Sequence, residues 1–128
     1  MALATIRRRL KRISVSHRLP HVRDGHKCRN DHGHNYHVWI ECSGSVDKRT
    51  GMLVDTEVID AVWVPLHSML DHRQGGLNSV PGLENPTTEV FAAWIHERFQ
   101  RALADFTNIC MIKVEVMESE DSIATYSD

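Results

Sequence analysis

HGHNYHVWIECS, residues 32–43, places His32, His34, Tyr36, Val38, Ile40 and Cys42 at even positions and Gly33, Asn35, His37, Trp39 and Glu41 at odd ones. Side chains of a strand alternate between the faces of a sheet. The run therefore reads as one long strand whose even face is apolar at one end and histidine-rich at the other. The segment after it, SGSVDKRTG (43–51), is turn chemistry, and Met52–Val54 is expected to extend the sheet.

Upstream, residues 5–17 read as a partner strand with Ile13, Val15 and His17 on one face, followed by a polar loop over 18–31 containing Pro20 and Gly25. Downstream, the 3.6-residue period predicts a helix over 56–70, capped by Asp55 or Thr56. Val58, Ile59, Val62, Trp63, Leu66 and Leu70 form its apolar stripe, and Pro65 predicts a kink. A long loop, DHRQGGLNSVPGLENP (71–86), precedes a second helix over 88–104 capped by Thr87. Phe91, Trp94, Ile95, Phe99, Ala102 and Leu103 are its inner side. Residues 109–118 alternate as a strand with Cys110, Ile112, Val114, Val116 and Glu118 on one face, and a short strand is expected around Ile123–Tyr126. The order β-β-α-α-β-β implies an α+β domain with both helices on one face of an antiparallel sheet.

At 128 residues the chain suits one domain, taken as 1–128. A net charge of -2 with 25% charged residues gives no overall attraction to nucleic acid or to membrane. The run RRRLKR, residues 7–12, is the local exception, and residues 1–12 are read as a basic N-terminal arm or edge strand in preference to a nucleic-acid tail. No apolar run approaches the roughly 20 residues of a membrane span. Three cysteines (Cys28, Cys42, Cys110) without a secretory signal point to reduced thiols in a cytoplasm.

Chemistry concentrates around the first two strands. His32 and His34, two apart on a strand, project from one face, and His17 lies on the inward face of the neighbouring strand. If the strands pair, three imidazoles converge, and three histidines with an open fourth position describe catalytic zinc. His21, His26, His37, His67 and His96 read as surface, loop or helix histidines. Cys28, between Lys27 and Arg29, is a fourth ligand, an inert thiol or a reactive thiolate. Cys42 and Cys110 read as small core residues. Asp71–His72 is either a helix end or an orienter and base. Glu118 aims a carboxylate inward, where the paired N–H groups of a pterin or guanine edge would satisfy it. A hydrolase of the metallo-β-lactamase type would want Asp-His soon after the His-x-His pair, and a closed structural zinc site would often carry CxxC; neither is present.

Taken together, SHRLPHVRDGHKCRNDHGHNY (16–36), GMLVD (51–55), LDH (70–72), LN (77–78), PGLENPTTE (81–89) and VMES (116–119) resemble the 6-pyruvoyl-tetrahydropterin synthase family in order and spacing. The bacterial branch, 6-carboxy-5,6,7,8-tetrahydropterin synthases of queuosine biosynthesis, is the nearer likeness, because only three residues separate Cys28 from His32. The resemblance implies a tunnelling fold (T-fold) and a homohexamer of two trimers with active sites between subunits. It also implies Zn2+ on His17, His32 and His34, with Cys28, Asp71 and His72 as catalytic residues. Glu118 would anchor the pterin, Thr87, Thr88 and Glu89 would shape its pocket, and Lys27 and Arg29 would meet a triphosphate. The expected reaction converts 7,8-dihydroneopterin triphosphate to 6-carboxytetrahydropterin, acetaldehyde and triphosphate. The alternative is triphosphate elimination to the 6-pyruvoyl product. The chain departs from the family at Ile13, Val15, Ser16 and Thr56, in a longer HRQGGLN segment, and in its basic arm.

Overall fold

The computed structural model describes residues 3–128, so the first two positions of the basic arm lie outside it. Seven regular elements follow in order: β1 (Ala4–Arg9), β2 (Ile13–His17), β3 (His32–Gly44), α1 (Thr56–Leu70), α2 (Thr88–Ala102), β4 (Ile109–Ser119) and β5 (Ser122–Ser127). β3 is the spine of an antiparallel sheet ordered β1-β3-β4-β5, with β2 pairing the first part of β3.

The expected strand over 5–17 is two strands. β1 pairs Arg9 with Trp39, and β2 resumes with Ile13 opposite Tyr36. Three residues, Leu10–Arg12, therefore face two, His37 and Val38. Such a bulge switches the parity of the strand. Before it, the inward residues are even (Ile6, Arg8, Leu10); after it they are odd (Ile13, Val15, His17). The switch lets one apolar face continue from Ile6 to His17.

Both helices cover the inner face. Ile59, Trp63 and Leu70 of α1 join Phe91, Ile95 and Phe99 of α2 in one core with Val38, Ile40 and Val114. Fully burying a side chain of this size contributes about 1.5–3 kcal/mol. Trp63 stacks on Phe99 with ring centroids 6.3 Å apart and donates its indole N–H to the Lys11 carbonyl, so the bulge is tied to α1. Asp55 caps α1 by accepting from the Glu57 N–H, and Thr87 caps α2 by accepting from the Val90 N–H.

α1 extends through Pro65 to Leu70; the carbonyl that Pro65 leaves without a donor belongs to Ala61, on the exposed side of the helix. Other expectations need correction. Met52–Val54 adds no strand, although Leu53 and Val54 are buried and the Leu53 carbonyl accepts from Asn108. The 18–31 loop contains a 3-10 turn at Lys27–Arg29. α2 ends at Ala102, which is exposed, while Leu103 just beyond it is buried. Cys110 is exposed near the start of β4 rather than in the core. His96 is buried, with Nε2 against the Ile112 carbonyl and Asp128.

Candidate functional site

β2 and β3 pair His17 directly with His32, and His34 follows two residues along the same face. The three rings lie 4.6–4.9 Å apart between centroids, and one nitrogen from each falls within 4.8 Å of the others. His17 Nδ1 is 2.9 Å from the Pro86 carbonyl, and His32 Nδ1 is 2.8 Å from the Asn30 carbonyl. A carbonyl only accepts, so both Nδ1 atoms carry the proton and both Nε2 atoms offer lone pairs. Those two Nε2 atoms are 3.0 Å apart.

Two lone pairs at that distance repel unless a proton or a cation lies between them. Burial holds His17 below its ordinary pKa, which disfavours the proton; burial does the same to His34. His34 Nε2 is itself buried without a hydrogen-bond partner, and the nearest carboxylate oxygen, on Glu118, is 3.7 Å away. An orphaned nitrogen beside two opposed lone pairs is a donor set that a divalent cation satisfies. The three histidines fit a metal ion, and the cluster does not include Cys28.

The surrounding residues hold this set in place. Tyr36, fully buried, packs its ring on Phe91 at 5.1 Å and sets its hydroxyl 3.1 Å from His17 Nδ1. Burial raises the Tyr36 phenol above its usual pKa, so it stays protonated. Asn78 accepts from the Arg18 N–H and donates to the Arg18 and Glu84 carbonyls, which joins the end of β2 to the loop that brings Pro86 to His17. Gly76, with φ +69, approaches the Ser16 carbonyl so closely that a Cβ would sit 2.6 Å from it.

Glu118 is the extra residue where β4 bulges, between Met117 opposite Ile123 and Ser119 opposite Ser122. It keeps the inward parity of Ile112, Val114 and Val116, and its carboxylate lies 3.7 Å from His34 Nε2. Thr88, buried at the start of α2, donates its hydroxyl to Glu118 Oε2 at 2.5 Å. Thr87, Thr88, exposed Glu89 and Glu118 line one cleft, of about 650 Å³, beside the β4–β5 turn. The Thr87 hydroxyl is occupied as a helix cap.

Cys28 is half-buried on the 3-10 turn, its N–H donated to His26 Nδ1 and its carbonyl accepting from Leu19. Lys27 is exposed, and the Arg29 guanidinium is engaged with the Val22 carbonyl and with Asp24. Cys42 is fully buried, its thiol pushed up to about 11 by burial, and is inert. Asp71 closes α1: one oxygen accepts from the Ser14 N–H, the other lies 2.9 Å from His72 Nδ1. The Ser14 hydrogen bond holds the Asp71 carboxyl below its usual range. His72 is exposed, has the only positive φ among the described non-glycine residues, and lines a cleft with Ser14, Ser16 and His34. Tyr36 and Asn78 were not singled out in the sequence. Tyr36 carried a signal in its place on the histidine face; Asn78 acts through backbone groups distant in sequence, which no local pattern shows.

The described residues contain no helix long and apolar enough to cross a membrane. The chain is 37% identical over 119 residues to the 6-carboxy-5,6,7,8-tetrahydropterin synthase of Synechocystis sp., covering 89% of this chain and 86% of that protein. It is 31% identical over 103 residues to the 6-pyruvoyl tetrahydrobiopterin synthase of Dictyostelium discoideum, covering 78% and 73%. The solved structure of Caenorhabditis elegans 6-pyruvoyl tetrahydropterin synthase superposes with a TM-score of 0.83 at 25% identity, covering 100% of this chain and 97% of that one. The family model described as 6-pyruvoyl tetrahydropterin synthase matches residues 5–128. With its T-fold and a histidine cluster able to hold a metal ion, the chain belongs to the 6-pyruvoyl tetrahydropterin synthase family, a family of lyases.

Proposed function

We propose that this chain is a zinc-dependent lyase converting 7,8-dihydroneopterin triphosphate and water to 6-carboxy-5,6,7,8-tetrahydropterin, with release of acetaldehyde and triphosphate, in queuosine biosynthesis. The observation that carries it is the neighbourhood of two unlike groups: three converging imidazoles and, 3.7 Å from the third, a carboxylate on the inward face of β4 held by Thr88. One binds a cation; the other suits a flat ligand with adjacent N–H donors. The carboxy product is favoured over the pyruvoyl product by the short Cys28–His32 spacing and by similarity to the named cyanobacterial enzyme.

The residues divide the work as follows. Glu118 accepts from the pterin N–H groups, and the Thr88 hydroxyl fixes its orientation. Thr87 and Glu89 shape the rim of that pocket. Zn2+ on His17, His32 and His34, when bound, supplies Lewis-acid polarisation of side-chain oxygens. Cys28, as thiolate, takes a proton from the substrate side chain. His72 moves the second proton, its Nδ1 oriented by Asp71 and its Nε2 left free for substrate. Lys27 and Arg29 give the Cys28 turn a positive charge that favours a phosphorylated ligand.

The whole chain, 1–128, acts as one domain within a homo-oligomer, a hexamer of two trimers, in the cytoplasm, with neither nucleic acid nor membrane as partner. All three thiols are unpaired, as a reducing compartment requires. Incubating the purified, zinc-loaded protein with 7,8-dihydroneopterin triphosphate and identifying the pterin product tests the reading. A 6-carboxytetrahydropterin with acetaldehyde supports it. A 6-pyruvoyl product would move the chain to the other branch, and unconsumed substrate would overturn the reading.

A further inference from the structure

The run Arg7–Arg9 is the charged motif that the site described above leaves unused. Its three guanidiniums have different surroundings. Arg7 forks onto Glu115 at 2.9 and 3.3 Å and lies 4.6 Å over the Trp39 ring. Arg8, on the opposite face, forks onto Asp60. Arg9 has no carboxylate partner among the described residues; its Nη2 is 3.0 Å from His37 Nδ1, and its guanidinium is 5.9 Å from the Trp39 centroid. A guanidinium only donates, so His37 Nδ1 accepts and the neutral ring carries its proton on Nε2. Arg9 and His37 together therefore present hydrogen-bond donors and no free acceptor, which is the chemistry of an anion site.

The pair opens on a cleft of about 530 Å³ that also reaches His34 and Glu118. The cleft follows from the pairing. The β3–β4 ladder stops at His37 opposite Met117, while β3 continues to His32 with β2 alone. The Glu118 bulge breaks the register at the end of β4, and Gly33 puts no side chain into the gap, where an added Cβ would meet open space. The gap therefore connects the outer face of the sheet with the metal-binding histidines. His37 lies three steps along the strand from His34, about 10 Å, which is the scale of a three-carbon side chain and its phosphate ester. Glu118 and Glu120 line the same cleft. Their repulsion keeps phosphates away from the pterin end and so fixes the direction in which a bipolar ligand lies.

We propose that Arg9 and His37 form the subsite for the terminal phosphates of the substrate, the tail passing over Gly33 to the outer face of the sheet. This inference rests on the pterin triphosphate reading given above. It adds to the Cys28 turn a direct phosphate contact from β1.

Inorganic triphosphate and unphosphorylated 7,8-dihydroneopterin are titrated calorimetrically into zinc-loaded wild type, Arg9→Ala, Arg9→Lys and Lys27→Ala. Arg9→Ala is expected to weaken triphosphate about 10- to 100-fold and to leave the unphosphorylated pterin and the zinc content unchanged. Arg9→Lys, which keeps the charge and loses the fork, should fall between. Equal triphosphate affinity in wild type and Arg9→Ala would overturn the subsite, as would a loss confined to Lys27→Ala or one shared equally by both ligands. The product assay separates the two ideas. Arg9-dependent triphosphate binding without pterin turnover keeps the subsite and removes the enzyme reading; turnover with Arg9-independent binding does the reverse.

Discussion

His34 makes the plainest chemical demand in the chain: its buried Nε2 has no partner, beside two imidazoles whose lone pairs face each other at 3.0 Å. His32→Ala removes one of the opposed nitrogens and is expected to lose zinc and turnover together while the fold persists, since His32 is only half-buried. Metal analysis of the purified variant checks this, and full occupancy would rule out the ligand set. Cys28 stands apart from that cluster. Cys28→Ala should therefore keep its zinc and lose turnover by about 10²–10⁴-fold, the usual cost of a missing general base; zinc lost along with the thiol would make Cys28 a ligand. Glu118→Gln replaces one acceptor oxygen by a donor that faces the pterin's own N–H groups. The cost is about 2–4 kcal/mol, or roughly 30- to 1000-fold in pterin affinity, with zinc content unchanged. Titration with a non-reactive pterin measures it, and equal affinities would place the Glu118 carboxylate outside the binding contact.

At the level of elements, one bulge and one alternation build the site. The bulge at Leu10–Arg12 brings His17 onto the inner face, and Glu118 continues the inward parity of Val114 and Val116 along β4. The alternation in β3 and the stripes of both helices were legible in the sequence because burial on one side forces a period. The bulge was not, because it swaps even for odd: Ile6 and Ile13 share the inner face although seven residues apart. Cys110 was misread for a related reason, since the start of β4 loses the period. His96, in the middle of α2, is buried by tertiary partners that a helix period does not show, the Ile112 carbonyl and Asp128. The three histidines able to hold a metal ion were legible from spacing and strand pairing. Their support, Pro86 and Asn30 carbonyls, Tyr36 and Asn78, was not, since it comes from backbone groups and long-range contacts. One consequence concerns the loop that carries Asp71 and His72. Gly76→Ala forces a side chain into the left-handed region and drives a Cβ against the Ser16 carbonyl next to His17. A loss of about 1–3 kcal/mol is expected, seen as a lower denaturant midpoint at unchanged slope; an unchanged midpoint would show that the loop relaxes.

For the whole molecule, β5 and the outer side of β1 end the sheet with no strand partner among the described residues. Open edges of this kind invite pairing with another copy, which agrees with the proposed hexamer. Fold, metal cluster and carboxylate all serve one claim: that the chain binds a pterin triphosphate at Glu118 and remodels its side chain beside the three histidines. The most direct measurement is mass-spectrometric identification of the pterin formed from 7,8-dihydroneopterin triphosphate by the zinc-loaded protein, with the zinc-free protein as control. The expected products are 6-carboxy-5,6,7,8-tetrahydropterin, acetaldehyde and triphosphate, formed only with metal present. Recovery of intact substrate from a folded, zinc-loaded preparation would contradict it.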